Sequence, residues 1–148
     1  MNDASSPALI RPATAADAAG LAPLITHLGY PSTPEQMRAR LERIAAHPDY
    51  ATLVAERGGR LVGMAGLKRG LSYNHDWPYA RIVSLVVEPG ERGRGTGAAL
   101  VAACEAWARG RGAASVHLTT ALHREGAHRF YERLGYERTG ARYLKKLG

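Results

Sequence analysis

The chain of 148 residues holds a single cysteine, Cys104, so no internal disulfide can form and a reducing compartment is expected. It has no long hydrophobic run. The longest apolar strand, Ile82–Val87, falls far short of the ~20 residues that span a bilayer, so no membrane partner is expected. The N-terminal MNDASSPALIRP lacks the basic segment and apolar core of a signal peptide, and a cytoplasmic protein is the expectation. Cysteine pairs and an HExxH motif are missing, and the histidines at 117, 123 and 128 fall on three different elements, so no metal is expected. Repeats, linkers and low-complexity tracts are also wanting. Lysine is scarce: arginine supplies 17 of the 20 basic residues, and the formal charge is +7. That balance suits an anionic ligand. The arginines are scattered and no nucleic-acid motif accompanies them, so a nucleic-acid partner is not expected.

What the chain does have is an order of elements. Leu9–Ile10 reads as a short strand. Thr14 with Asp17 marks a helix start, and Ala18, Leu21, Leu24, Ile25 and Leu28 repeat at helical spacing. Pro23 inside that stretch predicts a kink or break. Thr33-Pro34-Glu35-Gln36 combines an N-cap, proline at the first helical position and a capping glutamine. Met37, Leu41, Ile44 and Ala45 form the stripe of a second helix. Thr52–Glu56 and Leu61–Leu67 are strands joined at Gly58-Gly59. After a polar aromatic loop, Ile82–Val87 lacks alternation, as a strand covered on both faces does. Thr96–Arg109 is a helix with Leu100, Cys104, Trp107 and Ala108 inward. Ser115–Thr120 is a strand, and Gly126–Leu134 a helix capped by Gly135. Two further strands are expected at Tyr136–Thr139 and Arg142–Leu144. The sum is one mixed α/β sheet with helices on both faces.

The stretch IVSLVVEPGERGRGTGAAL, Ile82 to Leu100, carries the chemistry. An apolar strand passing through a glycine-rich turn into a helix N-terminus offers unpaired N–H groups and the positive end of a helix dipole to an anion. The loop is not a P-loop, which needs GxxxxGK[ST]. It is not the dinucleotide fingerprint either, because Ala98 stands where GxGxxG counted from Gly93 needs glycine. It does read R-x-x-G-x-G from Arg92 to Gly97.

That pattern resembles the pyrophosphate-binding motif of the GCN5-related N-acetyltransferase (GNAT) superfamily. Ala127–Tyr136 resembles the family's A-x-x-F-Y-E-x-x-G-[FY] segment, and Ile10–Asp17 its first strand and helix. The resemblance implies one acetyltransferase domain over residues 8–148, with a disordered end at 1–7. It implies a mostly antiparallel twisted sheet of about six to seven strands with about four helices. It implies acetyl-CoA as acetyl donor and direct transfer to a primary amine of a small-molecule or protein acceptor. A homodimer is common in the family. The alternative kept beside this is a non-catalytic acyl-CoA-binding regulatory module of the same fold.

Residue by residue, the resemblance implies that the backbone of Leu85, Val86 and Val87 holds the pantetheine arm. The amides of Arg92, Gly93, Arg94, Gly95, Thr96 and Gly97 would hold the pyrophosphate. Arg124 stands where many members bond pantetheine with asparagine. Tyr131 stands where the family places a tyrosine beside the cofactor sulfur, a candidate general acid. The family's strand glutamate falls near Arg81 and Ile82, neither a base. Glu88 is therefore a candidate base, with His75, Asp76 or a water chain as alternatives. Tyr30, His75, Asp76 and Trp77 are candidate acceptor contacts, on loops of the kind that carry specificity. Cys104, on a buried stripe, reads as a core thiol.

Overall fold

A computed structural model describes residues 7–91, 93–120 and 125–148. The expectations for Met1–Ser6, Arg92 and Arg124 lie outside them. The described chain forms two compact units, one ending at His117 and one beginning at Leu118.

The first unit is built on a five-stranded sheet in sequential order, β1 Leu9–Pro12, β2 Tyr50–Arg57, β3 Arg60–Gly70, β4 Tyr79–Val87 and β5 Val116–His117. The first four strands are antiparallel and β5 joins β4 in parallel. Gly58 and Gly59 both have positive φ, 59° and 76°, the backbone of a two-residue hairpin turn that Arg57 and Arg60 close.

Helices α1 (Ala18–Leu28) and α2 (Pro34–Ala45) cover one face. Leu21, Leu24, Met37 and Leu41 pack there with Val54, Met64 and Val86 of the sheet. Helix α3 (Thr96–Gly110) covers the other face, where Leu100, Val101, Cys104 and Ala108 are buried. Residues 62–67 of β3 are consequently buried on both faces, which is why that stretch is not alternating. The α2 cap forms as its residues dictate: Thr33 Oγ1 accepts from Gln36 N at 3.1 Å and Gln36 Oε1 from Thr33 N at 2.9 Å.

The sheet has two register shifts. One inserts Val62 between the Ala55–Gly63 and Glu56–Leu61 pairs. The other inserts Val83 between the Gly66–Ser84 and Leu67–Ile82 pairs, bulging β4 at its middle.

The second unit holds α4, Glu125–Arg133. Tyr136 N bonds to Tyr131 O and Gly135 N to Glu132 O, both at 3.0 Å, a Schellman closure that Gly135 permits at φ 92°.

Three expectations are corrected. Among the described residues the sheet has five strands where about six to seven were expected: residues 136–148 carry no strand, and the stretch expected at Ser115–Thr120 is extended only over Val116–His117. β-branched residues make strand possible but not sufficient, since a strand exists only where a partner takes its ladder bonds, and a lone hairpin is marginal in water. Helix α1 runs through Pro23 without a break. A short 3₁₀ turn, Ala15–Asp17, precedes it, so the proline sits in the second turn, where burial of Leu21 and Leu24 outweighs one missing N–H. Trp107, expected inward, is only half covered and lies under the Arg111 guanidinium at 5.1 Å.

Candidate functional site

Strand β4 outruns its neighbour. It pairs with β5 only at Ala80–Val116 and Arg81–His117, and continues six residues to Val87. On the side away from β3, no strand among the described residues pairs with Ile82–Val87. Leu85, Val86 and Val87 lie on this stretch. A strand edge of this kind accepts an extended chain bearing amides.

Past Val87 the backbone makes a 3₁₀ turn, Pro89–Glu91, and reaches α3 through glycines. Gly93 and Gly95 both hold φ at 79°, a left-handed conformation that costs side-chain-bearing residues roughly 1–2 kcal/mol. Among the described residues beyond its chain neighbours, a Cβ at either would meet no atom within 4 Å. The backbone conformation therefore calls for glycine, and the space above it is open. Gly95 is the N-cap of α3 and supplies no side-chain cap, so the first-turn amides of a fifteen-residue helix are left for an anion. The Arg94 N–H, expected to face the anion, instead donates to Glu91 O at 3.2 Å; the first-turn amides of α3 fit a pyrophosphate.

The loop is anchored from beneath by a buried ionic cluster that sequence reasoning missed. Glu91 is 4% exposed. Its Oε1 accepts from Thr96 Oγ1 at 2.8 Å and from Arg57 Nη2 at 3.1 Å. Arg57 Nη2 also donates to Thr96 Oγ1 at 3.5 Å, and Arg94 Nη1 stands 3.9 Å from Glu91 Oε2. Burial pushes the Glu91 carboxyl up, but the hydrogen bonds from Thr96 and Arg57 and the charges of Arg57 and Arg94 outweigh it, leaving the group below the usual carboxylate range. The cluster ties β2, the loop and the first turn of α3 together. Its trace in the sequence is only a glutamate among arginines and glycines, with Arg57 thirty-four positions away.

The other expected site residues are placed as follows. Glu88 donates its backbone N–H to Val62 O at 2.8 Å, and its carboxylate is hydrogen-bonded to Arg60. In the loop between β3 and β4, His75 stacks on Trp77 with centroids 4.7 Å apart and planes within 8°, and Asp76 is exposed between them. Tyr30, after the α1 C-terminus, is 66% exposed. Tyr131 lies in the second unit, half buried, its ring edge-on to Phe130 at 5.1 Å and to Tyr136 at 5.9 Å. Cys104 is fully buried, and that burial pushes its thiol up to about 12, so it stays neutral and unreactive.

The face under α1 and α2 holds a pocket of about 170 Å³. Its walls come from α1, α2, β2, β3 and the β4 bulge at Val83 and Ser84. Among the thirteen residues lining it, Arg40 alone is charged.

Comparison with known proteins places this geometry. The model of the acetyltransferase (GNAT) family matches residues 21–136. An aminoalkylphosphonate N-acetyltransferase of Salmonella typhimurium is 38% identical over 100 residues, 68% of this chain and 65% of that protein. The match thus spans less than two thirds of the relative's length. A putative acetyltransferase from Agrobacterium tumefaciens has the same fold, with TM-score 0.85 and 27% identity over 94% of this chain and 99% of that one. An aminoglycoside N-acetyltransferase solved in complex with CoA superposes with TM-score 0.83 at 20% identity, covering 95% and 94% of the two chains, a likeness of fold.

Proposed function

This chain belongs to the acetyltransferase (GNAT) family, and we propose that it transfers the acetyl group of acetyl-CoA to a primary amine in a ternary complex. The observation that carries the reading is the continuous path from the unpaired β4 stretch to the uncapped N-terminus of α3. It offers strand-like bonding for a pantetheine arm and, at its end, amides for a pyrophosphate. The relative's action on an aminoalkylphosphonate and the CoA held by the aminoglycoside enzyme agree with it.

Acetyl-CoA supplies an activated thioester. The acceptor nitrogen must first lose a proton, because an alkyl ammonium has a pKa near ~10.4. Its lone pair then forms the C–N bond as the C–S bond breaks, and the departing sulfur takes a proton to leave as thiol. N–H groups of β4 near the bulge are suited to face the developing oxyanion. Tyr131 is assigned as the proton donor to sulfur, on its place in the A-x-x-F-Y-E-x-x-G-[FY] segment. Glu88 is the candidate base. Its carboxylate is hydrogen-bonded to Arg60, and the proton reaches it through water.

The test is thermal unfolding with and without acetyl-CoA, followed by thiol release with a panel of amines. Ligand at about 100 times its Kd adds roughly 2.7 kcal/mol, a rise of about 5–10 °C for this size. No shift at millimolar acetyl-CoA overturns the reading. A shift without thiol release from any amine favours the regulatory module. In Tyr131→Phe, acetyl-CoA affinity is expected to hold while turnover drops, and wild-type turnover would remove Tyr131 from the mechanism.

A further inference from the structure

We infer that Arg57 and Thr96 are positioning residues for the cofactor loop: they hold the Glu91 carboxylate off the first-turn amides of α3, which it would otherwise cap, and so keep those amides available to acetyl-CoA. The inference rests on the acetyl-transfer reading above and names what competes for its pyrophosphate site.

The competitor is part of the loop itself. A helix N-terminus favours a carboxylate for the same reasons that it favours a pyrophosphate, its orphan N–H groups and its dipole. The first helical bond of α3 is Ala99 N–H to Gly95 O at 2.9 Å, so the amides of Thr96, Gly97 and Ala98 precede the ladder. Glu91 stands four residues before the N-cap Gly95, and Gly93 and Gly95 both turn the chain with positive φ. Its carboxylate already touches the first residue of α3, but through the side chain: Oε1 accepts from Thr96 Oγ1 at 2.8 Å. One hydroxyl therefore separates a buried acid from the amides that it could cap.

A second grip comes from the sheet. Arg57 ends β2 beside the Gly58-Gly59 turn, and the pairing with Arg60 fixes its place. Its Nε and Nη2 donate to the same Oε1 at 3.3 and 3.1 Å, and Nη2 also donates to Thr96 Oγ1 at 3.5 Å. The Arg57 side chain is 8% exposed and that of Glu91 4%, so water competes little for these bonds. Arg94 Nη1 stands 3.9 Å from the other oxygen, Oε2. Glu91 thus balances its charge on Arg57, Thr96 and Arg94 without drawing on the backbone amides. The same hairpin takes the other acid that flanks the 3₁₀ turn, because the Glu88 carboxylate is hydrogen-bonded to Arg60.

Releasing Glu91 turns an anchor into a competitor. A carboxylate capping Gly97 or Ala98 must leave before the cofactor anion can sit. The measured affinity then falls by the fraction of molecules left uncapped.

The experiment measures acetyl-CoA binding by calorimetry, without an acceptor, in wild type, Arg57→Gln, Thr96→Val and Glu91→Gln. It includes the pairs Arg57→Gln/Glu91→Gln and Thr96→Val/Glu91→Gln. Melting temperature and amide hydrogen exchange at Gly97 and Ala98 are read on the same proteins without ligand. Arg57→Gln and Thr96→Val are each expected to weaken binding about tenfold and to slow exchange at those two amides. Adding Glu91→Gln returns affinity close to wild type and restores fast exchange, because a neutral amide gains little from the helix dipole. Glu91→Gln alone binds at least as tightly as wild type although it melts lower. An anchor that only stiffens the loop behaves otherwise: affinity follows melting temperature, and Glu91→Gln deepens each loss. That pattern, or unchanged affinity in both Arg57→Gln and Thr96→Val, overturns the inference and leaves acetyl-CoA binding standing. Thr96→Val retains the Arg57–Glu91 pair, so it decides the matter even where Arg57→Gln does not fold. No acetyl-CoA binding in any of these proteins overturns the acetyl-transfer reading and the inference with it.

Discussion

Gly95 turns the chain with φ at 79° and leaves the mouth of α3 open. Two consequences separate there. Gly95→Ala strains the backbone but touches no protein atom, so its cost to folding is the left-handed penalty of roughly 1–2 kcal/mol. Gly95→Glu adds a carboxylate to the same space, where it competes with the anion. We expect the alanine variant to melt a few degrees lower and to bind acetyl-CoA weakly. The glutamate variant is expected to melt like the alanine variant and to show no acetyl-CoA-induced rise. A normal rise in Gly95→Glu would move the pyrophosphate off this loop. Glu91, four residues away, works in the opposite sense. It is an acidic side chain beside an anion site, tolerable because Arg57, Thr96 and Arg94 surround it.

Elements differ in how far they depend on their surroundings. Helix α2 carries its own start signals, and they close as local chemistry requires: both halves of the Thr33–Gln36 box are formed. Replacing Thr33 with alanine is expected to cost about 1 kcal/mol and a few degrees of melting temperature, with acetyl-CoA affinity unchanged. A fall in affinity would tie the α2 cap to the cofactor rather than to the helix. Strands have no such autonomy. Ser115–Thr120 has the composition of a strand, yet pairs only at Val116 and His117. Helix α1 shows the converse, a helix kept through Pro23 by the sheet it covers.

Across the first unit, buried and half-buried carboxylates tie elements together, and they set how the protein responds to acid. Arg11 bridges Asp17, at 2.9 Å, and Glu56, at 2.8 Å, joining β1, the turn before α1 and β2. The hydrogen bond from Arg11 holds the Asp17 carboxyl below its usual range against the penalty of burial. Glu91 is lowered as well. A carboxyl lowered by folding contributes stability that is present above its unfolded value, near ~4, and is lost as pH falls through the folded value. The melting temperature should therefore hold from neutral pH to about 5 and fall steeply below about 4. Arg57→Ala should lower it throughout and flatten the acid limb, because Glu91 then loses its principal cation. An acid limb identical to wild type would exclude Glu91 as its source. On the alkaline side Cys104 acts with the other sign. Its raised thiol stabilises the fold below the unfolded value of ~8.5, and that contribution is lost as pH rises toward about 12.

The amino-acid sequence by itself determined the features that are local in the chain. The capping box at Thr33, the hairpin at Gly58-Gly59, the glycine turn before α3 and the closure at Gly135 each depend on neighbours within a few residues, so spacing revealed them; the two-faced burial expected of Ile82–Val87 was not borne out, because α3 and the α1–α2 pair bury β3 on both sides and leave Val83 of β4 50% exposed. Family membership was legible for the same reason, in two short motifs at the proper separation. Tertiary structure alone decided what depends on distant partners. The Glu91–Arg57–Thr96 cluster joins residues up to thirty-nine positions apart. The bulge at Val83 appears only when β4 is laid against β3. The number of strands followed from which segments found a partner for their ladder bonds, not from β-branched composition. The pocket under α1 and α2 exists only where the two helices pack over the sheet beside the β4 bulge. Local backbone preference is written residue by residue, whereas desolvation and charge pairing exist only once distant segments are brought into contact.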